Sequence, residues 1–199
     1  VARQEGLDVL VAEKTEFFGG SSAYSGGGLW VPNNPLMAEA GFRDSLEDAR
    51  AYMQATVGDR VPAPLKEAYL NKAPEMVAYM LRHSHLQLEL NLAYPDYYPD
   101  RPGAMPGGRT LDPGIYPGRR LGPLLQQLRP RAYDFPLGLV LTTIDVKTVV
   151  LFARSFRNLL ATGKAFMRTL WGWATGARLL CLGQALVAPL RLSLHERGV

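Results

Sequence analysis

Residues Val9 to Pro32 read VLVAEKTEFFGGSSAYSGGGLWVP, and the fold turns on this stretch. It begins inside Leu7-Asp8-Val9-Leu10-Val11-Ala12-Glu13-Lys14, a short aliphatic run closed by a charged pair. Such a run predicts a buried strand of a parallel sheet. A glycine and serine loop follows, Gly19 to Gly28. The order has a chemical logic: at the end of a parallel strand in a nucleotide-binding sheet, a carboxylate such as Glu13 accepts both ribose hydroxyls of an adenosine. Gly19, Gly20, Gly26, Gly27 and Gly28 let the backbone approach a bulky planar or phosphate-bearing ligand. Ser21, Ser22 and Ser25 add hydroxyls to that set. Without the strand and the glutamate, the same loop reads equally as a hairpin connection.

Working outward, residues 35–93 read as helical. Asp44 or Ser45 caps a helix whose apolar positions Leu46, Ala49, Met53 and Val57 follow helical spacing, and Gly58 stops it. A second helical stretch, Pro64 to Arg82, is expected to break or restart near Pro74. Residues 94–136 hold 9 of the 15 prolines and many glycines, so regular elements are not expected there. The aromatics of that region (Tyr94, Tyr97, Tyr98, Tyr116, Tyr133, Phe135) argue against simple disorder. Within residues 137–199, the stretch from Asp145 to Arg197 reads as two or three basic amphipathic helices. Phe152, Phe156, Leu159 and Leu160 lie at helical spacing there, and Gly176 and Gly183 punctuate the rest. Such a helix lies on a membrane or, more commonly, shows an ordinary solvated face. Peripheral membrane contact therefore stays open.

Composition bounds the function classes. At 199 residues with 47 % hydrophobic and 20 % charged side chains, the chain suits one well-buried globular domain. Charge is uneven: residues 1–100 carry 8 basic and 14 acidic side chains, residues 101–199 carry 14 and 4. That split suits a nucleic-acid or membrane surface, or two halves that face each other or a further segment. The basic residues are scattered singly rather than clustered, which favours the latter and argues against nucleic acid. One cysteine, Cys181, forms no intramolecular disulfide and fits a reducing, cytoplasmic compartment. The first residues lack the pattern of a signal peptide. The apolar stretch Leu179 to Leu190 is shorter than the roughly 20 residues of a spanning helix.

Particular residues carry a family resemblance. Glu13-Lys14-Thr15, followed by Phe18-Gly19-Gly20-Ser21-Ser22-Ala23-Tyr24-Ser25-Gly26-Gly27, resembles the second FAD segment of the fumarate reductase and 3-ketosteroid dehydrogenase superfamily. The Ala-Tyr-Ser-Gly form with Trp30-Val31-Pro32 is nearest the 3-ketosteroid Δ1-dehydrogenase branch. Tyr94-Pro95-Asp96-Tyr97-Tyr98 and Gly183-Gln184-Ala185-Leu186 resemble later elements of that branch, so the likeness runs over nearly the whole chain. The resemblance implies an α/β, Rossmann-like FAD-binding domain with an inserted helical segment. It implies FAD bound by Glu13, Lys14, Gly19, Gly20, Ser21, Ser22, Ser25, Gly26 and Gly27, and a steroid-like hydrophobic ketone as substrate. It places Tyr97, expected as a buried phenol, in the active site. There it supports a second tyrosine that removes a proton from C2 while hydride passes from C1 to the flavin.

Departures from the pattern matter as much. The Gly-x-Gly-x-x-Gly turn that seats a pyrophosphate does not occur in these residues. Gln184 and Pro189 stand where related chains more often carry a basic or amide residue and an arginine. The domain is accordingly expected to be a fragment, incomplete at both ends. Two alternatives stand beside the ketosteroid reading. A fumarate reductase-like flavoprotein would need arginine and histidine clamps for a dicarboxylate, and no convincing set is present. A truncated chain would be non-catalytic, acting as a binding module.

Other residues carry weaker signals. His83 and His85 lack a completing carboxylate or cysteine set, so no metal site is expected. Cys181 sits in an aliphatic run and is expected to be buried and inert. No Gly-x-Ser-x-Gly hydrolase elbow is present. Trp171 and Trp173 flank a basic helical segment and are expected to pack into a core rather than stack on a ligand.

Overall fold

A computed structural model of the chain describes residues 1–132 and 134–199; Tyr133, one of the aromatics noted above, lies outside them. The chain divides into two units. One comprises Val1–Gly27, Ser84–Gln87 and Pro113–Val199, the other Gly28–His83 and Leu88–Asp112.

The second unit is built around two long helices. Strand β1 (Leu29–Trp30) leads to a short helix α2 (Pro35–Glu39). Asn34 caps α2 by accepting from the Met37 amide, with Pro35 in the first turn where a missing amide costs nothing. Helix α3 (Leu46–Val57) is capped by Ser45, whose hydroxyl accepts from the Asp48 amide. Of the two expected caps, Asp44 is thus committed elsewhere. Ala49 and Met53 of α3 close on Leu70 of helix α4 (Ala63–His83), with Trp30, Leu46 and Val57 at the margin. Strands β2 (Leu88–Leu90) and β3 (Thr110–Pro113) complete a small sheet in the order β1-β3-β2. Strands β1 and β3 pair antiparallel, Leu29 opposite Leu111.

Helix α4 passes through Pro74 without a break, contrary to the sequence expectation. An interior proline costs about 3 kcal/mol. Leu70, Ala73 and Val77 form one buried stripe across it, so tertiary burial holds the two halves in line.

In the first unit, α1 (Gly20–Tyr24) packs on α7 (Leu182–His195). Strand β4 (Tyr116–Pro117) pairs antiparallel with β5 (Leu179–Leu180). The core gathers Ala23, Tyr116, Leu128, Leu180, Ala185 and Leu192. Helix α5 (Thr143–Val150) opens with a reciprocal capping box between Thr142 and Asp145, and α6 (Phe156–Ala174) is capped by Ser155.

Three further expectations change. The parallel strand at Leu7–Lys14 is not formed: the run has no regular structure and Leu10 is 90 % exposed. A buried parallel strand needs partners along its backbone, and among the described residues the first parallel contact is the single bridge of Phe18 to Leu128. The proline-rich region is more regular than its composition suggests. It holds β3, β4 and a 3-10 segment at Gly118–Gln127, kinked at Gly122. Finally, the large apolar residues of α6 point outward. Ala165, Thr169 and Gly172 form its buried face, while Phe156 is 73 %, Trp171 56 % and Trp173 60 % exposed, so neither tryptophan enters the core.

Close backbone packing makes one glycine a sensitive position. Gly103 has φ +72°, and a Cβ there would lie 2.0 Å from the Asp48 carbonyl oxygen in α3. Gly103→Ala is expected to destabilise the protein by about 2–4 kcal/mol, from strain and steric overlap together. Urea unfolding followed by circular dichroism checks it; an unchanged midpoint would contradict the packing described.

Candidate functional site

Two cavities gather the residues singled out in the sequence, one in each unit. The first, of about 630 Å³, is lined by Glu13, Lys14, Thr15, Gly20, Ser21, Tyr24, Ser25 and Arg129. Five predicted residues therefore meet at one cavity: Glu13, Lys14, Gly20, Ser21 and Ser25. Glu13 Oε1 accepts from the Thr15 amide at 3.1 Å and the Thr15 hydroxyl at 3.3 Å, which fixes the carboxylate and leaves Oε2 able to accept from a ligand. Arg129 lies over the Tyr24 ring, 6.0 Å from its centroid. Its carbonyl accepts from Gln184 Nε2 at 2.8 Å, and its amide donates to the Phe18 carbonyl. Arg129 and its support by Gln184 are invisible to spacing, since 55 residues separate them.

Gly19, Ser22, Gly26 and Gly27 do not line this cavity; they set the path of the loop. At Gly19 (φ +109°) a Cβ would meet that of Ala23 at 2.8 Å. At Gly27 (φ +76°) it would meet the Leu182–Gly183 backbone at 2.9 Å. Gly183 is the counterpart: its Cβ would sit 1.9 Å from the Ser22 carbonyl, and its amide donates to the Ser25 carbonyl. The polar set of the cavity (a free carboxylate oxygen, Lys14, Arg129 and the Ser21 hydroxyl) fits a ribose joined to a diphosphate, while the Ser25 hydroxyl donates to the Ser22 carbonyl and accepts from the Gly27 amide.

The second cavity, of about 390 Å³, is lined by Trp30, Tyr52, Met53, Thr56, Val57, Tyr69, Tyr97 and Tyr98. Trp30 and Tyr69 are stacked within 10° of parallel, and Trp30 and Tyr52 are tilted with centroids 5.8 Å apart. The Tyr69 hydroxyl donates to the Trp30 carbonyl, and burial raises its pKa. The Tyr98 amide donates to the Tyr52 hydroxyl at 3.1 Å.

Behind these rings lies a buried ion network. Arg109, 1 % exposed, forks onto Asp44 through Nε (2.8 Å) and Nη2 (2.7 Å) and donates from Nη1 to Asp96 (2.8 Å) and the Gly103 carbonyl (2.9 Å). Its guanidinium also lies 5.8 Å from the Trp30 ring centroid and 5.7 Å from that of Tyr52. Burial pulls its pKa down, but Asp44 and Asp96 overcome that and hold it above the ordinary value. Asp96 accepts in addition from Trp30 Nε1 at 2.6 Å and the Met105 amide at 2.9 Å. The residue before Tyr97 is thereby fixed.

Tyr97 itself is not the buried phenol expected: it is 81 % exposed. The Tyr94 hydroxyl donates to it across a long 3.4 Å contact with the rings edge to face, and this bond raises the pKa of Tyr94. Of the remaining candidates, Cys181 is buried and its thiol pKa is raised by burial, against the pull of Arg131. His85 pairs with Glu196 at 2.6 Å, and among the described residues no group of metal-ligating side chains is found.

The FAD binding domain family matches over residues 1–199. The chain belongs to the FAD binding domain family. It is 40 % identical over 198 residues to a 3-oxosteroid 1-dehydrogenase of Mycolicibacterium smegmatis, covering all of this chain and 35 % of that one. A 4-oxocyclohex-2-ene-1-carboxylate 5-dehydrogenase of Sinomonas cyclohexanicum is 29 % identical over the whole chain. The crystal structure of 3-ketosteroid delta1-dehydrogenase from Sterolibacterium denitrificans, in complex with 1,4-androstadiene-3,17-dione, superposes with a TM-score of 0.86 at 36 % identity. It covers all of this chain and 36 % of that one, so the chain spans about a third of the length of these relatives. The mixed helix-and-strand fold is that of the FAD-binding ketosteroid dehydrogenases, with FAD as the family cofactor. Among the described residues no helix is long and apolar enough to cross a membrane.

The ion network makes a sharp stability prediction. Arg109→Met leaves Asp44 and Asp96 buried without their cation and is expected to cost about 3–5 kcal/mol. Thermal unfolding of the variant checks it; a loss below about 1 kcal/mol would mean that the carboxylates are solvated in ways this structure does not have.

Proposed function

We propose that the protein carrying these residues is an FAD-dependent dehydrogenase of a ketosteroid or similar hydrophobic ketone, working with tyrosine-assisted proton removal in the cytoplasm. The observation that carries the reading is the aromatic cavity with Tyr97 in its wall and no charged residue among its described lining. Flat rings such as the Trp30–Tyr69 pair suit a fused-ring apolar substrate, and the cavity volume lies in the range of small-molecule sites. A dicarboxylate would find no free cation there, because Arg109 is already saturated by Asp44 and Asp96. That disfavours the fumarate reductase-like alternative.

The reaction removes a hydride and a proton from adjacent ring carbons, leaving a carbon–carbon double bond. Bound FAD supplies the two-electron acceptor for the hydride. Glu13 would hold the adenosine ribose, Lys14, Ser21 and the Gly20 backbone would hold the diphosphate and flavin side, and Ser25, bonded to the Ser22 carbonyl and the Gly27 amide, would shape the loop beside them. Gly19, Ser22, Gly26 and Gly27 serve the same cofactor by fixing the loop. Tyr97 accepts from Tyr94, so its own O–H proton is directed away from that contact. A phenol in this state can pass a proton onward from a neighbouring base.

Two substitutions test the reading in the flavin-loaded protein at its natural length. Tyr97→Phe is expected to lower ketosteroid-dependent dye reduction about 100-fold while the flavin absorbance per protein stays constant. Unchanged turnover would remove Tyr97 from the mechanism. Glu13→Ala is expected to weaken FAD retention about ten-fold or more, from the loss of charge-assisted hydrogen bonds. Equilibrium dialysis against FAD measures it, and full retention would move the ribose site elsewhere.

A further inference from the structure

Tyr94 and Tyr97 lie three residues apart on a loop whose backbone is pinned on both sides. Before Tyr94, the Asn91 amide donates to the Thr110 carbonyl at 3.0 Å, and the Asn91 carbonyl accepts from the Gly108 amide at 3.0 Å. Asn91 Nδ2 also donates to the buried Asp112 carboxylate at 2.6 Å. The Leu92 carbonyl approaches Gly107 so closely that a Cβ there would lie 1.9 Å from its oxygen. Before Tyr97, the Asp96 amide donates to the Met105 carbonyl at 3.0 Å, and the Asp96 carboxylate is bound by Arg109, Trp30 and the Met105 amide. Pro95, whose ring fixes φ, joins the two anchors. The meeting of the two phenols is therefore set by the backbone.

Their rings stand edge to face, at 89° with centroids 6.1 Å apart, and the Tyr94 hydroxyl reaches that of Tyr97 at 3.4 Å. The surrounding charges give this contact a direction. The bond to Tyr97, burial, and the charges of Tyr97 and Asp112 all raise the Tyr94 pKa. Arg109, the cation bound to Asp96, is already matched by two carboxylates. Tyr94 thus keeps its proton and donates, and the Tyr97 oxygen accepts. A hydroxyl that accepts a hydrogen bond is itself a stronger donor, because each bond in a chain polarises the next. Between two neutral phenols a 3.4 Å contact is weak. It gains strength as negative charge reaches the acceptor oxygen. Its influence therefore falls on proton transfer rather than on substrate binding.

We infer that Tyr94 is a positioning residue: its hydroxyl holds the oxygen of Tyr97 so that the Tyr97 O–H turns toward the group that removes the substrate proton. This rests on the reading of Tyr97 as part of the proton-removing machinery. Through Tyr97, the bond supports the ionised form of that group and lowers the pH at which it becomes active.

Tyr94→Phe removes the hydroxyl and keeps the ring, so the flavin content and melting temperature of the natural-length protein are expected to match the parent's. In ketosteroid-dependent dye reduction, kcat is expected to fall about 3- to 10-fold at neutral pH, the range of one hydrogen bond. KM is expected to stay within about two-fold of the parent's. The rising limb of the pH–kcat profile is expected to move about half to one pH unit toward higher pH, so the deficit shrinks in alkali. In the Tyr97→Phe background the same substitution is expected to change nothing further, since the oxygen it acts on is gone. The inference is overturned if Tyr94→Phe turns over as fast as the parent while Tyr97→Phe is slow. A loss that is equal at every pH, or that adds in full to that of Tyr97→Phe, overturns it too and leaves Tyr94 a packing residue. Should Tyr97→Phe itself leave turnover unchanged, the reading beneath fails first, and the role of Tyr94 with it.

Discussion

A single buried guanidinium organises the unit that carries the aromatic cavity. Arg109 satisfies both oxygens of Asp44, one of Asp96 and the Gly103 carbonyl, and the two carboxylates in turn accept from the backbone amides of Asn33, Ser45 and Met105 and from Trp30. Four separate stretches of chain therefore converge on one cation. Buried ion pairs of this kind add little net stability, because desolvation offsets their attraction. What they supply is placement. The ring of Trp30 is held at its indole nitrogen by Asp96 and at its face by Arg109, and Tyr97 follows directly on the clamped Asp96. An apolar replacement could match the volume of the network without fixing the direction of the Trp30 ring.

The cofactor-side loop achieves placement by a different means, the absence of side chains. Gly19, Gly27 and Gly183 each occupy positions where a Cβ would come within 3 Å of neighbouring atoms. Two of the three have positive φ, so the loop path and the packing of α1 on α7 demand the same residue type twice over. Glycines that sequence reading assigns to a ligand are here divided. Gly20 faces the cavity, and Gly19 and Gly27 allow α1 and α7 to come close.

Legibility followed the range of the interaction. Local signals are legible: the Ser45 cap and Gly58 stop of α3 and the helices α5, α6 and α7 depend on neighbours a few residues apart. Arg109 could not be found in this way, because Asp44 lies 65 residues from it and neither residue sits in a distinctive pattern. Tyr52 and Tyr69 carry no distinguishing pattern either, each being an ordinary aromatic within a helix until Trp30 is placed against them. The run Leu7–Lys14 failed in the opposite direction. Its β-branched composition describes what a strand needs on its faces but says nothing about the backbone partners that make it one.

Helices α6 and α7 show how far hydrophobicity alone can mislead. Both are rich in leucine and alanine, and both follow helical spacing. In α7 the buried set Leu182, Ala185, Ala188 and Leu192 mixes large and small residues and interlocks with β4, β5 and the Gly118–Gln127 segment. In α6 the buried residues Ala165, Thr169 and Gly172 are all small, and the neighbouring Leu179 fills the space that a larger side chain would need at Gly172. Side-chain size, set by how closely the neighbouring backbone approaches, decides which face turns inward. A helix with small residues on its inner face and aromatic ones outside gains little from water on that side.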